Sequence, residues 1–140
     1  MECLFCRIAE KCVPADIVYA DSLAVAFLDH RPLFPGHLLL IPRSHVETLA
    51  DLPTSETGPF FQIAQRLERA VESAMEAEGS FVAINNKVSQ SVPHLHVHVV
   101  PRRKKDGLKG FFWPRGSYRD DAHRESVAAA IRQAISAQTL

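Results

Sequence analysis

The stretch that decides the fold is Pro93-His94-Leu95-His96-Val97-His98-Val99-Val100-Pro101, in which histidines alternate with apolar residues. A period of two is typical of a β-strand with one buried face. The pattern predicts that Leu95, Val97 and Val99 pack on a core. On the opposite face the three histidines would stand in a row, with about 6–7 Å between neighbours.

A row of imidazoles on one strand face has three interpretations. It can be a solvated polar face, or a zinc site in which two same-face histidines chelate one ion. It can also be a catalytic centre, because an imidazole whose pKa is near neutrality can attack phosphorus and later depart. The sequence contains no P-loop, G-x-S-x-G or H-E-x-x-H motif, so several common chemistries are excluded.

The patterns on either side of this stretch predict an α+β fold with a mostly antiparallel sheet. Short apolar runs indicate strands at residues 16–20, 23–28, 37–41 and 81–84. Apolar residues at helical spacing predict one long helix from Pro59 to Glu78, with Gly79 as its C-terminal cap. Val127, Ile131 and Ile135 mark a weaker C-terminal helix.

Length and composition favour one soluble domain spanning residues 1–140. The chain has a mass of 15.6 kDa, and its 16 basic and 16 acidic residues give a formal charge of zero. A uniformly basic nucleic-acid binder is therefore disfavoured. No apolar run approaches the ~20 residues that cross a bilayer, and the N-terminus does not resemble a signal peptide. We expect a cytoplasmic protein without a membrane or nucleic-acid partner.

The three cysteines all lie within the first twelve residues, as Cys3, Cys6 and Cys12. Cys3 and Cys6 form a C-x-x-C, a spacing that lets two thiolates reach one metal ion. A zinc site needs two further ligands, which would have to come from distant histidines. Two small buried thiols are the alternative, because free cysteine is often simply buried.

Several stretches together resemble the histidine triad (HIT) superfamily, in particular its zinc-containing, Hint-like bacterial branch. The resemblance runs from Cys3 to about Arg103, with a weaker trace at Phe111 to Pro114. Its motifs are the H-φ-H-φ-H-φ-φ signature beginning at His94, Cys3-Leu4-Phe5-Cys6-Arg7-Ile8, Ala26-Phe27-Leu28-Asp29, Gly36-His37-Leu38-Leu39-Leu40-Ile41-Pro42-Arg43-Ser44-His45, and Ser89-Gln90-Ser91-Val92-Pro93-His94. The resemblance implies a HIT-like fold with a five-stranded sheet, one long helix and one C-terminal helix.

The resemblance also implies a structural zinc ion and a homodimer. In zinc-containing relatives the metal is held by the C-x-x-C pair, by the histidine that closes the I-P-x-x-H stretch and by the first triad histidine. Those positions are Cys3, Cys6, His45 and His94. Two thiolates and two imidazoles make a closed tetrahedral site. Relatives commonly pair through the long helix and the sheet edge.

The catalytic roles implied by the resemblance fall on the histidine stretch and the loop before it. His96 is the nucleophile that attacks the α-phosphorus of a nucleotide conjugate, giving a nucleotidyl-histidine intermediate that water releases. The carbonyl of His94 accepts the hydrogen bond that fixes the His96 tautomer. His98, Gln90 and Ser91 donate hydrogen bonds to phosphate oxygens and near the leaving group.

The nucleotide-binding residues are implied in the same way. Asp29 holds the ribose hydroxyls, while Leu4, Phe5, Ile8 and Phe27 form an apolar wall around the base. Asn85 and Asn86 lie where relatives place a phosphate- or ribose-contacting Asn, with Asn86 favoured. Ser89 replaces the usual glycine, which alters the approach of the backbone to phosphate.

The implied ligand is a purine nucleotide or nucleotide conjugate. The substrates are nucleoside phosphoramidates, adenylylated amines or dinucleoside polyphosphates. The alternatives are a dedicated dinucleoside polyphosphate hydrolase or phosphorylase, a purine-nucleotide-binding regulatory module with incidental turnover, and metal catalysis on the triad histidines.

Overall fold

The computed structural model of the protein describes residues 2–109 and 115–138. The chain divides into two compact units, Met1–Asp106 and Gly107–Leu140. The weaker trace of the HIT pattern at residues 111–114 lies outside the described residues. None of the helices within the described ranges is long and apolar enough to cross a membrane.

The first unit is built on one antiparallel sheet of five strands. The strands are β1 (Ile17–Ala20), β2 (Ala24–Leu28), β3 (Leu38–Pro42), β4 (Gly79–Ala83) and β5 (Val97–Arg102). Their order across the sheet is β1-β2-β3-β5-β4. The predicted α+β class with a mostly antiparallel five-stranded sheet is confirmed.

The described residues form three α-helices, and their bounds correct the predicted ones. They are α1 (Leu4–Ala9), α2 (Thr54–Ala74) and, in the second unit, α3 (Asp121–Ser136). Helix α1, which begins inside the C-x-x-C segment, was not predicted. Helix α2 begins before Pro59, because it accommodates the proline in its second turn, and it ends before Glu78.

The prediction that Gly79 caps the long helix is wrong. The helix ends at Ala74, and the residue that takes up the left-handed conformation after it is Glu76, with a φ of 50°. Gly79 instead opens β4, where it pairs with Arg102 of β5.

The two faces of the sheet carry two apolar clusters. Helix α2 covers one face, with Phe60, Ile63, Leu67 and Val71 packed against residues of β2, β3 and β5. Helix α1 covers the other face through a second cluster. Strands β2 and β3 contribute side chains to both clusters, which explains why their apolar runs are nearly continuous.

The histidine stretch is a regular strand only in its second half. Leu95, Val97 and Val99 lie in the α2 cluster as predicted. Strand β5 nevertheless begins at Val97, so His94 and His96 precede it. Neighbouring strands pair with β5 only as far as Val97, and the N–H of Leu95 donates to the carbonyl of Val46 in a loop. The predicted row of three imidazoles on one regular strand is therefore wrong.

The loop between β4 and β5 contains two residues in the left-handed region. Lys87 has a φ of 68° and Ser89 a φ of 60°. This conformation favours glycine, because a Cβ atom crowds the following carbonyl. Ser89 therefore keeps a backbone shape that suits the glycine of the resembling motif.

Replacing this serine tests the strain directly. We expect Ser89→Gly to raise the free energy of unfolding by roughly 0.5–1 kcal/mol, the relief of left-handed strain less the entropy that glycine loses on folding. Urea denaturation measures the change. Ser73→Gly, at an exposed position inside α2, is the matched control and is expected to cost about 0.5 kcal/mol. Equal destabilisation by both variants would contradict the assignment.

Candidate active site and metal centre

His96 lies on the α1 side of the sheet, and its ring is fixed by one short hydrogen bond. Its Nδ1 lies 2.7 Å from the backbone carbonyl of His94. A carbonyl only accepts hydrogen bonds, so Nδ1 carries the proton and Nε2 holds a lone pair. The residue is only 3% exposed, and the Phe5 ring packs against it edge-on at 5.2 Å. In the neutral ring, the free nitrogen is therefore Nε2, and it is held in one orientation.

His94 is fixed in the opposite tautomer. Its Nε2 lies 2.8 Å from the carbonyl of Pro42 and donates to it, which leaves the lone pair on Nδ1. That Nδ1 faces the two thiols of the C-x-x-C motif, at 3.4 Å from Cys3 Sγ and 3.6 Å from Cys6 Sγ. Burial lowers the pKa of His94. A neutral imidazole with an orienting carbonyl behind it is the usual form of a metal ligand.

Four side chains converge at this point. One ligand atom from each of Cys3, Cys6, His45 and His94 lies within 4.8 Å of all the others. His45 Nδ1 is 3.4 Å from Cys6 Sγ. Around a tetrahedral zinc ion, Zn–S and Zn–N bonds of about 2.3 and 2.0–2.1 Å would place sulfur and nitrogen about 3.5 Å apart. The distances and the donor set both fit zinc.

The two thiols also explain why a cation suits this cluster. Burial, followed by the hydrogen bond and charge of Cys3, raises the pKa of the Cys6 thiol to about 11. The thiolate forms that zinc requires are therefore unfavourable unless positive charge lies between them. The third cysteine, Cys12, is exposed and lies outside the cluster.

A second pair of histidines lies beside His96. The backbone N–H of Leu33 donates to Nδ1 of His37, at 3.0 Å. Nε2 of His37 therefore carries the proton and donates to Nδ1 of His98, at 2.9 Å. The remaining nitrogen of His98, Nε2, then carries a proton. Its ring centroid is 5.0 Å from that of His96, closer than the spacing expected along a strand.

Both members of this pair are neutral. Burial, helped by neighbouring His96 and His37, lowers the pKa of His98 to about 4. Burial also lowers the pKa of His37, although the Asp29 carboxylate, 3.7 Å from Nε2, opposes the shift. His98 therefore donates a hydrogen bond from a neutral ring.

Asp29, His37 and His98 also bring one possible ligand atom each within 4.8 Å of one another. The N–H of Leu33 argues against a metal ion there. It holds Nδ1 of His37 as an acceptor, so the nitrogen that faces His98 is protonated and has no lone pair to offer. The group is better described as a hydrogen-bonded histidine pair beside a carboxylate.

An apolar pocket opens next to His96. Most of the predicted catalytic and nucleotide-binding residues line it, namely Leu4, Phe5, Ile8, Phe27, Asp29, Ser91, His96 and His98. Phe5 and Phe27 pack edge to face, with ring centroids 5.4 Å apart. The pocket thus joins an apolar wall to a carboxylate, a hydroxyl and two imidazoles.

Four of the predicted catalytic and nucleotide-binding residues lie outside the lining of this pocket: Gln90, Ser89, Asn85 and Asn86. Gln90 is engaged at both ends of its amide, accepting from the N–H of Lys87 at 2.8 Å and donating to the carbonyl of Glu47. The side-chain oxygen of Asn86 accepts from the N–H of Leu49 at 2.9 Å. Gln90 and Asn86 thus tie two loops together.

No sequence motif assigned a role to His37, Leu39 or Val92. Leu39 and Val92 line the pocket, and His37 orients His98. The one signal in the sequence was that His37, a polar residue, directly precedes the apolar run of β3. The register of β3 against β5, which puts Leu39 opposite His98, cannot be read from either segment alone.

Comparison with known proteins identifies the family. The model of the HIT domain matches residues 10–105. The chain belongs to the HIT family. This HIT protein is 35% identical over 143 residues to the HIT-like protein Rv1262c of Mycobacterium tuberculosis, covering 99% of this chain and 96% of that one.

Two other relatives bear on the site. A zinc-bound histidine triad family protein of Mycobacterium smegmatis is 36% identical, with a TM-score of 0.73 and coverage of 99% of both chains. A bis(5'-nucleosyl)-tetraphosphatase (asymmetrical) of Schizosaccharomyces pombe is 36% identical over 96 residues, which cover 67% of this HIT protein and 53% of that enzyme.

The tautomers of the site can be observed in solution. We expect long-range ¹H–¹⁵N spectra to show the Nδ1–H form for His96 and the Nε2–H form for His98. In His37→Leu the His98 signal should move toward a mixture of tautomers, because its Nδ1 has lost the donor. Leu33→Ala retains the backbone N–H and is expected to leave both patterns unchanged. An unaltered His98 signal in His37→Leu would contradict the assignment of His37 as the donor to His98.

Proposed function

We propose that this HIT protein is a nucleotide-binding hydrolase or transferase that cleaves nucleotide conjugates at the α-phosphate through a nucleotidyl-histidine intermediate. The observation that carries the proposal is the hydrogen bond between His96 Nδ1 and the carbonyl of His94. It leaves the lone pair on Nε2 of a residue that also lines an apolar pocket. In the neutral imidazole, that nitrogen carries the lone pair with which a histidine attacks phosphorus.

The pocket supports a nucleoside as the bound group. Its wall of aromatic and aliphatic side chains suits a planar base, which gains affinity by leaving water. Asp29, on the same pocket, offers carboxylate oxygens to ribose hydroxyls. One of them, Oδ1, already accepts from the N–H of Arg31 at 2.9 Å, which fixes the orientation of the carboxylate.

The reaction then has two displacements. The lone pair of His96 Nε2 forms a bond to the α-phosphorus, and the bond to the leaving group breaks with its electron pair, which solvent protonates. Water next attacks the same phosphorus, loses a proton and returns the electron pair to Nε2. His98 Nε2–H and the Ser91 hydroxyl donate to phosphate oxygens as negative charge develops.

Phosphoramidates, adenylylated amines and dinucleoside polyphosphates all present such an α-phosphate. The S. pombe relative supports the alternative of a dedicated dinucleoside polyphosphate hydrolase or phosphorylase. The non-enzymatic alternative is a regulatory module that binds purine nucleotides and whose turnover is incidental. A substrate panel, measured with and without inorganic phosphate, separates these functions.

We further propose that Cys3, Cys6, His45 and His94 hold a structural zinc ion. Bound zinc would neutralise the two thiolates and tie α1 to the histidine stretch. Because α1 also supplies Phe5 and Ile8 to the pocket, this tie stabilises the pocket wall. The zinc-bound M. smegmatis relative supports the proposal.

The homodimer stays a prediction. It agrees with the place of β4 at one edge of the sheet, where Val82 is 44% exposed. A second copy can continue a sheet by adding its own strand at the edge.

The nucleophile is tested with His96→Gln. We expect this variant to lose at least about 10³-fold in turnover, because it removes the attacking nitrogen, while nucleotide binding measured by calorimetry persists. His123→Gln, in the second unit, is the control and should retain activity. In the wild type, quenching at neutral pH followed by intact mass spectrometry should detect a nucleotidyl adduct. Substantial turnover by His96→Gln would overturn the mechanism.

The metal site is tested with Cys6→Ala. We expect its zinc content, measured by elemental analysis, to fall from one equivalent to less than a tenth. The melting temperature should fall by roughly 5–10 °C, which corresponds to about 2 kcal/mol in a chain of this size. Cys12→Ala is the matched control and should keep both values. Zinc retained by Cys6→Ala, or lost from Cys12→Ala or His96→Gln, would refute the ligand assignment.

A further inference from the structure

We propose that His30 determines which purine base the pocket prefers, by forming a hydrogen bond with the edge of the bound base. The inference rests on the proposed function, since it assumes that a nucleoside enters the apolar pocket. It assigns a role to a polar side chain at the rim of that pocket.

The location of His30 is the first support. His30 lines the same pocket as Phe5, Phe27 and Asp29, and its side chain is 87% exposed. The ring therefore stands at the mouth of the pocket, where a seated base would cover part of it. Apolar walls bind adenine and guanine almost equally, so discrimination requires a polar group at the edge of the base.

The backbone on both sides of His30 is held in place. The N–H of Asp29 donates to the carbonyl of His37 at 2.9 Å, and the N–H of Arg31 donates to Oδ1 of Asp29, also at 2.9 Å. These two bonds fix the direction in which the His30 side chain leaves the chain. A group held in this way loses less entropy when it binds.

The ring nitrogens of His30 are available for a ligand. Within the described part of the chain, the His30 ring approaches one carboxylate, that of Asp29. The distance between His30 Nδ1 and Asp29 Oδ1 is 3.9 Å. That distance is too long for a hydrogen bond. A neutral imidazole offers one donor and one acceptor, and the edges of adenine and guanine present these groups in different order.

The other polar residues of the pocket lining are engaged elsewhere in the proposed reaction. Asp29 faces the ribose, while Ser91, His96 and His98 face the phosphate. Among the described residues that line the pocket, His30 is the remaining polar side chain. It is therefore the residue to which base discrimination is assigned.

The experiment compares wild type with His30→Leu, His30→Gln and Arg31→Gln. Dissociation constants for AMP and GMP are measured by calorimetry, and kcat/KM for adenosine and guanosine phosphoramidates by product release. Arg31 is an exposed neighbour outside the pocket lining and serves as the control.

We expect the wild type and Arg31→Gln to prefer one purine by about fivefold, the effect of one hydrogen bond at a partly exposed site. In His30→Leu the ratio should fall below about twofold, while kcat changes little. His30→Gln, which keeps a donor and an acceptor, should retain discrimination in one direction or the other.

A purine ratio that is the same in wild type and His30→Leu, including a ratio near one in both, overturns the assignment to His30 while leaving the proposed function intact. If neither the wild type nor any variant binds AMP or GMP or turns over the phosphoramidates, the proposed function is overturned instead.

Discussion

The hydrogen bond from His96 Nδ1 to the carbonyl of His94 decides which nitrogen of the site is free to react. The bond depends on His94, which makes three contacts at once. Its carbonyl orients His96, its Nε2–H donates to Pro42 of β3, and its Nδ1 faces the thiols at the start of α1. A displacement of this one residue would disturb the tautomer of His96, the metal centre and the seating of α1.

Burial sets the charge state of the rest of the site. Because burial lowers the pKa values of His37, His94 and His98, each of these imidazoles can lie beside another histidine without mutual repulsion. Backbone groups place the protons of His37 and His94, namely the N–H of Leu33 and the carbonyl of Pro42. The proton of His98 is placed in turn by the side chain of His37.

Local sequence patterns are reliable where the burial of one face alone decides the outcome. The alternation from Leu95 to Val99 predicted correctly which side chains enter the core, because burial of one face holds whether or not every residue pairs in a strand. It did not predict where β5 begins, since that depends on the ends of neighbouring strands. Gly79 was misassigned because a glycine after a helical pattern can equally well open the next strand.

Among the candidate site residues, the motifs located the pocket wall and the histidines that line it. The loop amides were a different case. Gln90 and Asn86 stand in motif positions typical of ligand contacts, yet their side chains bond to Glu47, Lys87 and Leu49. Hydrogen-bond partners of an amide depend on which loop folds against it, and no local pattern encodes that choice.

The sequence by itself determined the fold class, the family resemblance, the C-x-x-C pair and the alternation that separates histidines from core residues. These features depend on residue type and short-range spacing. Only the tertiary structure decided that His37 orients His98, that α1 lies against His96, and that His30 stands at the mouth of the pocket. Each of these contacts joins segments far apart in the chain, so it exists only once the strands have paired and the two faces of the sheet have been covered.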